Sequence, residues 1–146
     1  MATILETMRG FFTEDQWNFT EVDERPILRM GFQGKNGNWT CYAQAEEEKN
    51  YFSFYSVCPI NVPENKRLLM AEYVTRANYG LYIGNFELDF RDGEVRYKTS
   101  VDVENETLTN NLIHNLVYAN VFTMDRYFPG IMAVLYGNST PEAAIS

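Results

Sequence analysis

Apolar residues alternate with polar or small ones early in the chain, beginning at Leu28, Met30 and Phe32, which is the pattern of half-buried β-strands. Asn36-Gly37 follows them and is a strong hairpin signal. A turn centred there gives three apolar pairs on one face: Phe32 with Cys41, Met30 with Ala43 and Leu28 with Ala45. A second turn, centred on Lys49-Asn50, adds Cys41 with Cys58, Ala43 with Ser56 and Ala45 with Phe54. One face stays mostly apolar throughout, which predicts a three-stranded antiparallel meander.

A second hairpin is predicted around Asp92-Gly93. On one face this turn pairs apolar residues: Phe90 with Val95, Leu88 with Tyr97, and Phe86 with Thr99 at the end. On the other face it sets opposite charges across the strands: Asp89 with Arg96 and Glu87 with Lys98. Both faces therefore agree on one register.

Helical spacing of apolar residues predicts a first helix over about residues 3–12. Residues 13–25 are acidic and are predicted to form a loop with room for a short extended piece. A second helix is expected to begin at Val62-Pro63-Glu64, because proline suits the first helical position, and to end before Gly80.

A last long helix is expected to be capped by Thr107 or Thr109. Pro129-Gly130 should break it, because proline cannot donate a helical hydrogen bond, and residues 131–136 could continue for a turn or two. The element order α-β-β-β-α-β-β-α predicts the α+β class, with a five-stranded antiparallel sheet and helices packed mainly on one face. We expect a single domain over residues 1–136 and a flexible tail over 137–146.

The charge balance narrows the classes of partner. The formal net charge of −8 counts against binding to nucleic-acid phosphates and to anionic membrane surfaces. No apolar run approaches the ~20 residues that cross a bilayer, and the N-terminus lacks the basic start of a signal peptide. We therefore expect a cytoplasmic protein, with its two cysteines in a reducing compartment.

No group of residues predicts catalysis or a cofactor. His114 is the only histidine in the sequence, and no serine lies in a Gly-x-Ser-x-Gly setting, so we predict no enzyme and no catalytic residues. Cys41 and Cys58 face each other in the predicted register, as a redox-sensitive pair or as two small buried residues.

A small acidic calcium-binding protein is the alternative function. The carboxylates Asp89, Asp92 and Glu94 crowd the second hairpin and could bind Ca²⁺ weakly. The spacing is not that of an EF-hand, because with Gly93 as the loop glycine the twelfth ligand would be Thr99.

The predicted sheet also has a solvent face that suits a partner. The predicted register gives two cross-strand rows on it: Arg29–Gln44–Tyr55 and Gly31–Tyr42–Val57. Tyrosine and arginine are typical anchors of interfaces, and the small Gly31 leaves room for a partner's side chain. We predict that Arg29, Tyr42, Gln44, Tyr55 and Val57 bind a peptide or a second copy of the chain.

Three segments resemble one known family: RANYGLYIGNFE from Arg76 to Glu87, the hairpin DGEVRYK from Asp92 to Lys98, and DRYFPG from Asp125 to Gly130. Together with the element order they are similar to the YbjN family, over nearly the whole chain to about Tyr136. The resemblance implies the fold of type III secretion chaperones, which are small, acidic and often dimeric and hold extended segments of a partner protein. It also implies a sensory or stress regulator, and it carries over no catalytic residue.

Overall fold

The computed structural model describes residues 2–146, which form an antiparallel sheet of six strands with helices on one side. The elements in chain order are α1 (Ile4–Glu14), β1 (Phe19–Glu21), β2 (Ile27–Gln33), β3 (Asn38–Glu46), β4 (Tyr51–Val57), a 3₁₀ turn (Glu64–Lys66), α2 (Arg67–Asn78), β5 (Asn85–Leu88), β6 (Val95–Asp102), α3 (Asn110–Tyr136) and α4 (Pro141–Ile145). The strand order is β1-β2-β3-β4-β6-β5. The predicted α+β class is confirmed, with one strand more than the five predicted.

The additional strand is β1, which lies in the segment predicted to be a loop with room for a short extended piece. It has three residues and pairs with β2 through Phe19 opposite Met30 and Glu21 opposite Leu28. Glu21 also forms an ion pair with Arg9 of α1. A strand this short is held by its neighbours rather than by its own pattern, so the sequence does not define its bounds.

All three hairpins have a register that differs by two residues from the prediction. Phe32 lies opposite Trp39 instead of Cys41, and Cys41 lies opposite Ser56 instead of Cys58. In the second hairpin, Leu88 lies opposite Val95. A shift of two keeps the paired strand residues on their predicted faces, because successive side chains alternate between the faces. Phe90, predicted to pair with Val95, lies outside β5 and is exposed. The predicted faces are therefore correct while the predicted pairs are wrong.

The turn between β2 and β3 shows why its register shifts. Its central residues are Lys35 and Asn36, and both backbone N–H groups donate to the carboxylate of Asp125 on α3. The Asn36 side-chain amide donates to the Asp125 carbonyl at 3.0 Å. Pro129, four residues further along, cannot donate to that carbonyl, so Asn36 supplies the missing hydrogen bond. The expected break of the helix at Pro129-Gly130 is therefore wrong, and α3 continues to Tyr136.

The turn between β3 and β4 is fixed in a similar way by α1. The carboxylate of Glu47 accepts the backbone N–H groups of Ile4 and Leu5 at 3.0 and 2.9 Å. These are among the N–H groups at a helix start that have no partner within the helix. Glu47 thus joins the sheet to α1, in addition to the capping box of Thr3 and Glu6.

Buried residues alternate along β2, β3 and β4, so one face of the sheet packs against the helices. A polar group lies inside this packed layer, where Asn120 of α3 is 0% exposed. Its Oδ1 accepts the hydroxyl of Ser56 at 2.6 Å, and its Nδ2 donates to the carbonyls of Phe54 and Tyr97 at 2.9 and 3.1 Å. A buried polar side chain that is fully paired in this way fixes the position of α3 on the sheet.

Residues 137–146, predicted to be a flexible tail, include the short helix α4. Thr140 caps it, and its first residue, Pro141, is buried. The helix lies against α2 and α3. The flexibility of this segment and the limits of a single domain over 1–136 stay predictions.

Candidate functional site: the outer face of the sheet

The outer face of the sheet is the face turned away from the helices, and no helix of the described residues 2–146 covers it. A cross-strand row runs over its centre in the order Arg29, Tyr42, Tyr55, Lys98. The predicted row Arg29–Gln44–Tyr55 is wrong because of the two-residue shift. Gln44 lies in the adjacent row, between Ile27 and Ser53.

A second row on the same face consists of Gly31, Thr40, Val57 and Arg96. The predicted row Gly31–Tyr42–Val57 is wrong for the same reason. All five residues proposed from the sequence to bind a partner lie on the outer face, and each of them is at least partly exposed. The structure thus brings together Arg29, Tyr42, Gln44, Tyr55 and Val57, although as different neighbours from those predicted.

Three charged residues complete this surface and were not assigned to it from the sequence. The guanidinium of Arg96 lies over the Tyr55 ring, 4.4 Å from its centroid. Glu87 accepts from Arg96 Nε at 2.7 Å and from Lys98 Nζ at 3.0 Å. Partial burial would raise the pKa of Glu87, but the hydrogen bonds from Lys98 and Arg96 outweigh it and hold the pKa below its ordinary value. This carboxylate therefore keeps both cations in place beside Tyr55.

Gly31 leaves an open space in the outer face. A Cβ built on Gly31 has no heavy atom within 4 Å, and its backbone is not in the left-handed region. A groove of about 490 Å³ passes over it, lined also by Gln33, Asn38, Thr40 and Pro59. No internal packing requires glycine at this position, so the space is available to a side chain from outside.

Two of the three residues proposed as calcium ligands, Asp89 and Asp92, use their carboxylates within the turn between β5 and β6. Asp89 accepts the guanidinium of Arg91 and the Arg91 backbone N–H, and these hydrogen bonds lower the pKa of Asp89 to about 2. The Asp92 carboxylate accepts the backbone N–H of Glu94 at 2.9 Å. Within residues 2–146, no three His, Cys, Asp or Glu side chains converge in an arrangement that could hold a metal ion. The geometry therefore gives the calcium alternative no support.

The two cysteines are buried and lie in different environments. Cys41 faces Ser56, and its Sγ lies 3.6 Å from the serine Oγ. Burial raises the pKa of the Cys41 thiol to about 12 and also raises that of Cys58. The predicted cross-strand pairing of the two is wrong, because Cys58 follows the end of β4.

Several residues of the segments that resemble the YbjN family stabilise the local structure. The side chain of Asn78 accepts the N–H of Phe86 at 2.6 Å and donates to its carbonyl at 3.1 Å, which closes the free edge of β5. Gly84 has φ +80°, and a Cβ there would lie 2.5 Å from the Lys98 carbonyl oxygen. A Cβ on Gly130 would overlap the Tyr73 hydroxyl. These residues explain the local structure and leave the outer face unaccounted for.

In the part of the chain that the structure describes, no helix is both long enough and apolar enough to cross a membrane. No curated protein matches the sequence. Among solved structures, a crystal structure of YbjN from E. coli superposes with a TM-score of 0.66 at 16% identity, over 94% of each chain. A chain of the HopA1–SchA chaperone–effector complex superposes with a TM-score of 0.50 at 11% identity, over 82% of this chain and 88% of the other.

Both likenesses show the fold, and they confirm the likeness to YbjN and to type III secretion chaperones that the sequence implied. The family model for YbjN, described as "Putative bacterial sensory transduction regulator", matches residues 5–132. That range spans α1 to most of α3. The chain belongs to the YbjN family.

Proposed function

We propose that this protein acts without catalysis, by holding an extended segment of another protein on the outer face of its sheet, in a chaperone-like or regulatory role. The observation that carries the proposal is the uncovered centre of that face, where Tyr42 and Tyr55 lie side by side between Arg29 and Lys98. The family description, a regulator of sensory transduction, is consistent with a protein whose activity is binding. The likeness to a chain of a chaperone–effector complex supports the same kind of partner.

Physical considerations support binding at this face. Tyrosine rings offer a large contact area and lose little conformational entropy on binding. The Tyr55 ring is already held by the Arg96 guanidinium on it, so less freedom is lost when a partner docks. The open space at Gly31 can take a side chain of the partner in the next row. An aromatic pair beside a pocket is the usual composition of an interface hot spot.

The test is affinity capture from a lysate of the source organism, with partners identified by mass spectrometry and then purified. The double variant Tyr42→Ala, Tyr55→Ala should lose the captured partner and keep the thermal unfolding midpoint of the parent within a few degrees. A matched control removes two tyrosines elsewhere, Tyr79→Ala and Tyr82→Ala, which are 92% and 98% exposed in the parent. The control should capture the partner as the parent does. Equal capture by the Tyr42 and Tyr55 variant would contradict the proposal.

A second copy of this chain is one partner that the experiment covers, because we expect the protein to form a homodimer. Light scattering on the purified protein measures its mass directly. If the dimer uses the outer face, the Tyr42 and Tyr55 variant should be a monomer at concentrations where the parent is a dimer. A dimer of unchanged stability in that variant would place self-association elsewhere and leave the outer face free for a different protein.

A further inference from the structure

We propose that the segment held on the outer face is acidic, with two carboxylates that lie about four residues apart. This inference rests on the proposed function and adds the chemistry of the partner. It is drawn from the sign and the spacing of the charges on the two central rows of the face.

The centre of the outer face has the opposite sign to the protein as a whole. The two central rows contain three cations, Arg29, Arg96 and Lys98, and one carboxylate, Glu87, in a chain whose formal net charge is −8. Arg29 is exposed and forms no ion pair with any residue in 2–146. A local surplus of positive charge within an acidic protein favours a negatively charged ligand at that place.

The spacing of the cations sets the spacing of the ligand's charges. Arg29 lies on β2 and Lys98 on β6, in the same row and three strand separations apart. Neighbouring strands are about 4.8 Å apart, so the two residues are separated by roughly 14 Å. An extended segment that crosses the strands advances about 3.4 Å per residue and spans that distance in about four residues. The side chains between its two carboxylates then lie over Tyr42 and Tyr55.

Nucleic acid also presents regularly spaced negative charges, but the surroundings of the two central rows favour a peptide. The same face carries Glu46 and Asp102 in the row at its far end, on β3 and β6. Those carboxylates would repel a phosphate backbone that continues past the two central rows, whereas a short acidic segment can end before them. An oligonucleotide therefore serves as the competing ligand in the test.

The experiment measures fluorescence anisotropy of labelled peptides of alternating Thr and Val with the full-length protein. One peptide carries Glu at two positions four residues apart, a second carries Gln at both, and a third carries the two Glu residues two apart. We expect the first to bind about three- to tenfold more tightly than either of the others, with the difference falling as salt is added. The variants Arg29→Gln and Lys98→Gln should remove the difference. Arg91→Gln should keep it, because Arg91 is an exposed arginine on the β5–β6 turn.

Three results would overturn the inference: equal binding of the Glu and Gln peptides, no measurable binding of any peptide, or tighter binding of a single-stranded oligonucleotide. The failure of the inference can be separated from the failure of the proposed function. If the captured partner is lost by Tyr42→Ala, Tyr55→Ala but kept by Arg29→Gln, Lys98→Gln, the face binds protein and the charge inference is wrong. If the tyrosine variant keeps the partner, the proposed function itself is wrong.

Discussion

Replacing Gly31 with valine should stabilise the fold and weaken partner binding. Glycine within a strand costs about 0.5–1 kcal/mol relative to alanine, and β-branched residues are favoured further in strands. Because a Cβ at Gly31 meets no atom within 4 Å, we expect the added side chain to fit without a clash. A gain of about 1 kcal/mol should raise the unfolding midpoint by about 2–4 °C for a chain near this size. The added side chain would fill the groove beside Thr40 and lower the affinity for the partner by about tenfold.

The assay combines thermal unfolding by circular dichroism with titration of the captured partner. Gly10→Ala is the matched control, since Gly10 lies on α1, is exposed, and also has no atom within 4 Å of a built Cβ. It should stabilise the protein by about 1 kcal/mol and leave partner binding unchanged. A lower unfolding midpoint for Gly31→Val would refute the reasoning about open space. A raised midpoint with unchanged affinity would refute the role of the groove.

Three further predictions concern the packing beneath the face. Asn120→Ala leaves two buried carbonyls and a hydroxyl without their hydrogen-bond partner. It should therefore destabilise the protein by about 3–5 kcal/mol and lower the thermal unfolding midpoint by about 10 °C. A decrease of less than about 2 °C would contradict the importance of this hydrogen-bond network. Asn36→Ala removes the donor to the Asp125 carbonyl and should cost about 1 kcal/mol in urea unfolding, and an unchanged urea midpoint would mean that this bond contributes nothing. Burial raises the pKa of Cys41 to about 12 and raises that of Cys58, so both thiols stay protonated at neutral pH. Both should react with Ellman's reagent only after the protein is denatured. Rapid labelling of the folded protein would refute the prediction.

The face on which each strand residue lies could be predicted from the sequence, whereas its partner across the strands could not. Alternation with period two survives any shift by an even number of residues, so Tyr42 and Tyr55 were placed on the outer face by pattern alone. The turns were positioned by contacts with distant helices. Asp125 of α3 holds the β2–β3 turn, and Glu47 holds the β3–β4 turn against α1. No rule about turn residues contains those contacts.

The sequence does not place the charged residues Glu87, Arg96 and Lys98 beside Tyr55, for a related reason. The hairpin of β5 and β6 was predicted by itself, and its Glu87 and Lys98 served as evidence of pairing. Strand β6 lies beside β4, which puts Lys98 next to Tyr55. This neighbourhood depends on the connection through α2 and cannot be derived from local pattern. The continuity of α3 through Pro129 cannot be predicted from local pattern, because the replacing donor, Asn36, lies 89 residues from Asp125 in the sequence and is adjacent to it only in the folded protein.

Membership of the YbjN family explains this fold better than it explains the partner. Several residues of the family-like segments serve structure: Asn78 forms hydrogen bonds with both backbone groups of Phe86 at the edge of β5, and Gly84 and Gly130 allow close packing. Tyr79 and Tyr82 in the same stretch are 92% and 98% exposed, so packing does not account for them. They are the tyrosines removed in the control for the outer face, so the comparison of the two double variants distinguishes between two binding sites. Loss of the partner in the control with retention in the Tyr42 and Tyr55 variant would move the binding site from the sheet to the α2–β5 loop. The reverse result would assign binding to Tyr42 and Tyr55, which lie outside the family-like segments.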